Sequence, residues 1–122
     1  MGKKTKNREI NFLELIPVRS TKIDWEVDEN GLVKLIIWRN TILDKVVRKL
    51  FNTPKRTVID LDEQGSNVWK NIDGKRSVGE LIELQRDKFG KSAEPALERL
   101  ITFIRILKNN EFITFKENKV MP

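Results

Sequence analysis

Ile23-Asp24-Trp25-Glu26-Val27-Asp28-Glu29-Asn30-Gly31-Leu32-Val33-Lys34-Leu35-Ile36-Ile37-Trp38 is the stretch that decides the architecture. Over residues 23–28 apolar and acidic side chains alternate with period two, the pattern of a strand with one buried face. Asn30-Gly31 tolerates positive φ and predicts a tight hairpin turn. Leu32–Trp38 then returns as a mostly apolar second strand. Further on, Arg56-Thr57-Val58-Ile59-Asp60-Leu61 is rich in β-branched residues and predicts a third strand. Trp25 falls on the expected buried face of the first strand, whereas Trp38 ends the second.

Between the second and third strands, apolar pairs at 42/43, 46/47 and 50/51 alternate with charged pairs. On a helix those pairs form one stripe, so residues 41–51 read as an inserted amphipathic helix, capped by Thr41 and followed by Pro54. At two or three turns it offers little area for membrane anchoring, and covering the sheet of its own domain is the simpler role. Three short helices follow the third strand. The first is capped by Asp62, carries Gly65, Val68, Trp69 and Ile72 on one face, and ends at Asp73-Gly74. Ser77-Val78-Gly79-Glu80 is a capping box opening the second, whose apolar face is Val78, Leu81, Ile82, Gln85 and Phe89, with Gly90 as the stop. Ser92 is the expected cap of the third, over residues 93–108, with Pro95 in its first turn. Its main stripe is Leu97, Leu100, Ile101, Ile104 and Leu107, and Phe103 and Ile106 widen it. Residues 112–115 predict a short terminal strand.

The expected fold is therefore α+β and winged-helix-like. An N-terminal three-stranded antiparallel sheet precedes a three-helix bundle, with the amphipathic helix inserted between strands two and three. Residues 1–9 read as a basic flexible tail and residues 10–122 as a single domain.

Composition narrows the chemistry. The chain has 122 residues, 39% hydrophobic and 34% charged, as ordinary globular domains do. Cysteine and histidine are both absent. That removes thiolate and imidazole metal sites, disulfides, imidazole general bases and the Ser-His and Cys-His nucleophile pairs. A binding module fits better than an enzyme, with no catalytic residue, cofactor or metal expected. Phe12, Leu13, Leu15 and Ile16 are interrupted by Glu14 and stopped by Pro17, too short for a signal peptide or membrane span. The expected location is cytoplasmic.

The net charge of +6 suggests nucleic acid, but its distribution does not. Residues 1–8 hold four basic groups and no acid, residues 44–56 hold five against Asp44, and residues 57–122 are balanced at eleven of each. On the third helix, Arg99, Arg105 and Lys108 face Glu94 and Glu98, a poor surface for phosphates. A winged-helix DNA-binding regulator is thus the alternative reading, which the architecture permits and the charge opposes. Asp60, Asp62 and Glu63 are explained by helix capping and the helix dipole rather than by a cation, since the calcium-loop pattern is missing.

Residues 56–113 resemble the PqqD family of small peptide-binding proteins, also described as RiPP recognition elements. The resemblance is carried by Leu61-Asp62, Val68-Trp69, Ile72-Asp73-Gly74, Lys75-Arg76-Ser77-Val78, Glu80-Leu81, Phe89-Gly90, Phe103-Ile104, Leu107 and Asn110-Glu111-Phe112-Ile113. It implies a noncatalytic peptide chaperone. Such proteins bind the leader segment of a ribosomally synthesised precursor peptide and present it to a modifying enzyme, often of the radical S-adenosylmethionine class. The third strand would offer an edge to which an extended leader adds as a further antiparallel strand. Thr57, Val58, Ile59 and Asp60 are the expected peptide-binding positions on it. Phe103 and Ile106 either floor a groove beside that strand or pack under the inserted helix. On the first account Arg99, one turn before Phe103, attracts an acidic leader residue.

Overall fold

The computed structural model describes residues 12–38 and 56–116. The basic tail expected over 1–9 and the helix expected over 41–51 lie outside the described residues. Among those described, residues 12–14 are helical, and beyond them five strands and three α-helices form an α+β arrangement with antiparallel pairing throughout. In chain order they are β1 (Pro17–Arg19), β2 (Asp24–Val27), β3 (Val33–Trp38), β4 (Arg56–Asp60), α1 (Glu63–Asn71), α2 (Val78–Phe89), α3 (Ala96–Asn109) and β5 (Ile113–Phe115). A short 3-10 turn, Gly90–Ala93, joins α2 to α3.

The expected three-stranded antiparallel sheet is present and runs β2-β3-β4. Its hairpin is wider than Asn30-Gly31 predicted. Asp28 and Leu32 face each other, because the Asp28 N–H donates to the Leu32 carbonyl, so Glu29, Asn30 and Gly31 form a three-residue loop. Gly31, at φ 82°, supplies the left-handed residue such a loop needs. The Asp28 carboxylate accepts the N–H groups of Leu32 and Asn30 at 2.9 and 2.8 Å. The Leu32 bond, against some desolvation, holds the Asp28 carboxyl below its ordinary pKa.

Helix α1 packs against β3, the central strand, and buries Val33 and Leu35 completely. Edge strand β2 is exposed along its length. This corrects the expectation for Trp25, which is 36% exposed; its ring stands edge-on to the fully buried Trp69, with the Arg19 guanidinium 4.7 Å above it. Trp38 is exposed at the end of β3, where its indole N–H donates to Asp24. The core continues through Ile72, Leu81, Ile104 and Ile113.

Two expected caps are present. The Asp62 carboxylate accepts the Gly65 N–H at 2.7 Å, and Ser77 and Glu80 form the reciprocal box. The third is not. Ser92 donates to the Phe89 carbonyl within the 3-10 turn, and α3 begins only at Ala96, whose N–H the Glu94 carboxylate accepts at 3.1 Å. Leu97, in the first turn of α3, is exposed, while Leu100, Ile104 and Leu107 stay buried. The terminal strand exists, and its partner is β1: Pro17 opposes Phe115, so the proline read as a stop begins a strand.

Candidate functional site

Strand β4 lies at the edge of its sheet among the described residues. Register tells which of its backbone groups are free. The Leu61 N–H donates to the Val33 carbonyl, and β4 pairs Ile59 with Leu35 and Thr57 with Ile37. In antiparallel pairs the hydrogen-bonded positions recur every second residue. Thr57, Ile59 and Leu61 therefore turn their backbone groups toward β3, whereas Val58 and Asp60 turn theirs to the open side. Side chains alternate the same way. Ile59 and Leu61 pack against the core, and Val58 stands 43% exposed on the opposite face. Beside it Asp60 accepts from the Lys34 ammonium at 2.8 Å, a bond that raises the lysine's pKa above its ordinary value.

The ladder ends in a side chain. The Ser66 hydroxyl, buried in α1, accepts the Val33 N–H at 2.8 Å and donates to the Leu61 carbonyl at 3.3 Å. It locks the exit of β4 onto α1, and there a cleft of about 630 Å³ opens between the end of β4, the start of α1 and the face of α3. Leu61, Gly65, Val68, Leu100 and Phe103 supply its apolar walls. Gly65 permits the closeness: a Cβ there would stand 3.4 Å from the Phe103 ring and 3.1 Å from the capping oxygen of Asp62. Gln64 and Arg99 both donate to the Ser92 carbonyl, at 2.9 and 3.0 Å, which ties α1 and α3 to the 3-10 turn across one end of the cleft.

Of the expected site residues, Asp60, Arg99 and Phe103 line this cleft together. Ile106, 51% exposed, lines a shallower hollow of about 400 Å³ that shares Arg99 and Phe103. Thr57, Val58 and Ile59 line neither; they form the strand leading to the cleft. Thr57 and Ile59, expected among the peptide-binding positions of the edge, turn their backbone groups into the sheet. Sequence reading missed Gln64, Gly65, Gln85, Ala93 and Ala96 as cleft residues. For Gln85 a signal existed, since it is the lone polar side chain on the apolar face of α2. Among the described residues no three acidic groups gather as a cation site.

A family profile described as coenzyme PQQ synthesis protein D (PqqD) matches residues 50–113. That span is just over half of the chain. It contains β4, all three helices and every wall of the cleft, and it ends on the first residue of β5. The chain belongs to the PqqD family. Membership carries an accessory role in the biosynthesis of coenzyme PQQ or of related ribosomally made, modified peptides. No curated protein and no solved structure matches the chain significantly. The PqqD match therefore falls on the half of the molecule that holds the free edge and the cleft, while β1, β2 and β3 lie outside it. No described helix is long and apolar enough to cross a membrane.

Proposed function

We propose that this PqqD-family chain is a noncatalytic cytoplasmic peptide chaperone. It captures the leader segment of a ribosomally synthesised precursor peptide as an added strand along β4 and presents it to a modifying enzyme, in keeping with enzymes of the radical S-adenosylmethionine class. The observation that carries this reading is the edge itself: the backbone groups of Val58 and Asp60 face away from β3 and lead directly into the cleft beside α3. Backbone hydrogen bonds along an edge give affinity to any extended peptide, and neighbouring pockets choose among side chains. Alternate leader side chains would lie over Val58 on one face and point toward Phe103 and Arg99 on the other.

The test is fluorescence anisotropy of a labelled leader peptide, taken from a short precursor frame adjacent to the gene. Val58→Pro is the deciding variant. Proline is accommodated on an edge strand when its missing N–H faces outward. The variant should fold and bind the leader at least tenfold more weakly. Unchanged leader binding by a folded Val58→Pro chain contradicts strand addition here. A salt-dependent anisotropy change with random duplex DNA, and none with the leader, would favour the winged-helix regulator instead.

A further inference from the structure

The three-stranded sheet has a second open edge. Strand β2 borders only β3 among the described residues, and all of its residues are exposed. The Asp28 N–H donates to the Leu32 carbonyl, and β2 pairs Glu26 with Lys34 and Asp24 with Ile36. Asp24, Glu26 and Asp28 therefore turn their backbone groups toward β3, whereas Trp25 and Val27 turn theirs outward. Side chains alternate as well. Trp25 and Val27 lie on the face that carries Leu35 and Val33, and Asp24 and Glu26 lie on the other. The Trp25 ring is held there, edge-on to Trp69 and beside the Arg19 guanidinium.

Charge marks the same edge. Residues 23–33 carry Asp24, Glu26, Asp28 and Glu29 and no basic side chain. Lys34 opposes Glu26, but its ammonium bonds to Asp60 on the far strand at 2.8 Å. Two copies of β2 meeting antiparallel would set these carboxylates against one another, and like charges directly opposite are destabilising. The edge thus resists its own copy and suits a strand of opposite charge. We infer, resting on the peptide-binding reading above, that β2 is the edge on which the modifying enzyme docks, through an extended segment that alternates basic and apolar residues. On the open side Asp24 and Glu26 occupy the non-hydrogen-bonded positions, where opposed side chains stand closest. Lysine or arginine of the enzyme pairs with both carboxylates there, and its apolar residues cover Trp25 and Val27. The leader on β4 and the enzyme on β2 extend one sheet from opposite edges, so neither displaces the other. Presentation requires this, because cargo and enzyme must be held at the same time.

The test titrates the isotope-labelled full chain with a short synthetic peptide alternating lysine and valine, and with a glutamate–valine peptide as control. The lysine peptide should shift the amides of Trp25 and Val27 most, with Glu26 between them moving less. Val58 and Asp60 should respond only at higher concentration, and the control should leave β2 unmoved. Glu26→Lys, which turns an attraction into a repulsion, should weaken the lysine peptide roughly fivefold. Val27→Pro removes an outward N–H, a change that an edge strand accommodates. That variant should weaken binding of the modifying enzyme encoded beside the gene by roughly tenfold while leaving leader affinity unchanged. Equal responses to the two peptides, lysine-peptide shifts on β4 without any on β2, or unaltered enzyme binding by a folded Val27→Pro chain overturn the inference. So does a dimer in sedimentation that Val27→Pro dissolves, since a second copy then occupies the edge. Failure of the peptide-binding reading has a different signature: a leader peptide that leaves the β4 amides unmoved, whatever the lysine peptide does at β2.

Discussion

Replacing Ser66 with alanine should destabilise the domain by about 2 kcal/mol. The hydroxyl is 1% exposed and satisfies two backbone groups, the Val33 N–H at 2.8 Å and the Leu61 carbonyl at 3.3 Å. Val33 is fully buried, so its N–H finds no water once the oxygen is gone. A buried donor left unsatisfied costs roughly 1–3 kcal/mol. The carbonyl adds less, because its bond is longer and Leu61 is only partly buried. Equilibrium unfolding in urea reads the effect. With a slope of about 2 kcal/mol per molar for a domain of this size, the midpoint should fall by about 1 M. Hydrogen exchange gives the local reading: the Val33 amide should lose protection more than Leu35, whose partner on β4 is untouched. A midpoint within about 0.2 M of wild type, with Val33 still protected, would refute the reasoning, since a chain anchored through Ser66 cannot lose that oxygen freely.

Register separates two neighbouring prolines: Ile59→Pro should unfold the sheet, because its N–H side faces β3, whereas Val58→Pro keeps the circular dichroism of the parent. The caps separate likewise. Ser77→Ala should cost about 1 kcal/mol as the loss of a capping box, while Ser92→Ala, which caps no helix N-terminus and removes only an exposed bond to the Phe89 carbonyl, should stay within about 0.5 kcal/mol in the same unfolding assay. Acid should destabilise the fold through Asp28, Asp73 and Glu94, whose carboxyls are held below their ordinary values chiefly by the backbone N–H groups of Leu32, Arg76 and Ala96. Carboxyls depressed in the folded state contribute stability that is present above the unfolded-state range and lost as pH falls through the folded values. Urea midpoints should therefore drop on acidification below the usual carboxylate range, and less steeply when Asp28 and Asp73 are replaced by asparagine. A midpoint flat with pH would count against those bonds.

Local patterns exposed most of the fold. Period-two alternation marked β2 and β3, and side-chain chemistry at Asp62 and Ser77 marked two helix starts. What failed was decided by contacts distant in sequence. Trp25 alternates as a buried residue should, but burial depends on which strand α1 covers, and α1 lies under β3. Ser92 has capping chemistry, but the chain turns through a 3-10 segment first and Glu94 takes the role two residues later. Strand β1 was hidden because three residues beginning with proline carry no period, and only pairing with β5 makes them a strand. The site divided similarly. Phe103 and Ile106 were legible as surplus on a helix stripe, with Arg99 one turn before Phe103, but only Arg99 and Phe103 border the cleft, which also needs Gly65, Ala93 and Ala96, whose contribution is the space they leave. Nothing local distinguishes such a residue from any other small one.

Strand addition at β4 is tested most directly by titrating the isotope-labelled chain with its leader peptide and following every backbone amide. The account predicts the largest shifts at Val58 and Asp60, whose N–H groups acquire peptide carbonyls, with smaller ones at Arg99 and Phe103 on the facing helix. Ile59, already bonded to β3, should move less than either neighbour. That alternation along three consecutive residues is the signature of a strand joining an edge, and a ligand resting on the surface would not produce it. Shifts confined to residues 75–92, with β4 and α3 unmoved, would contradict the account.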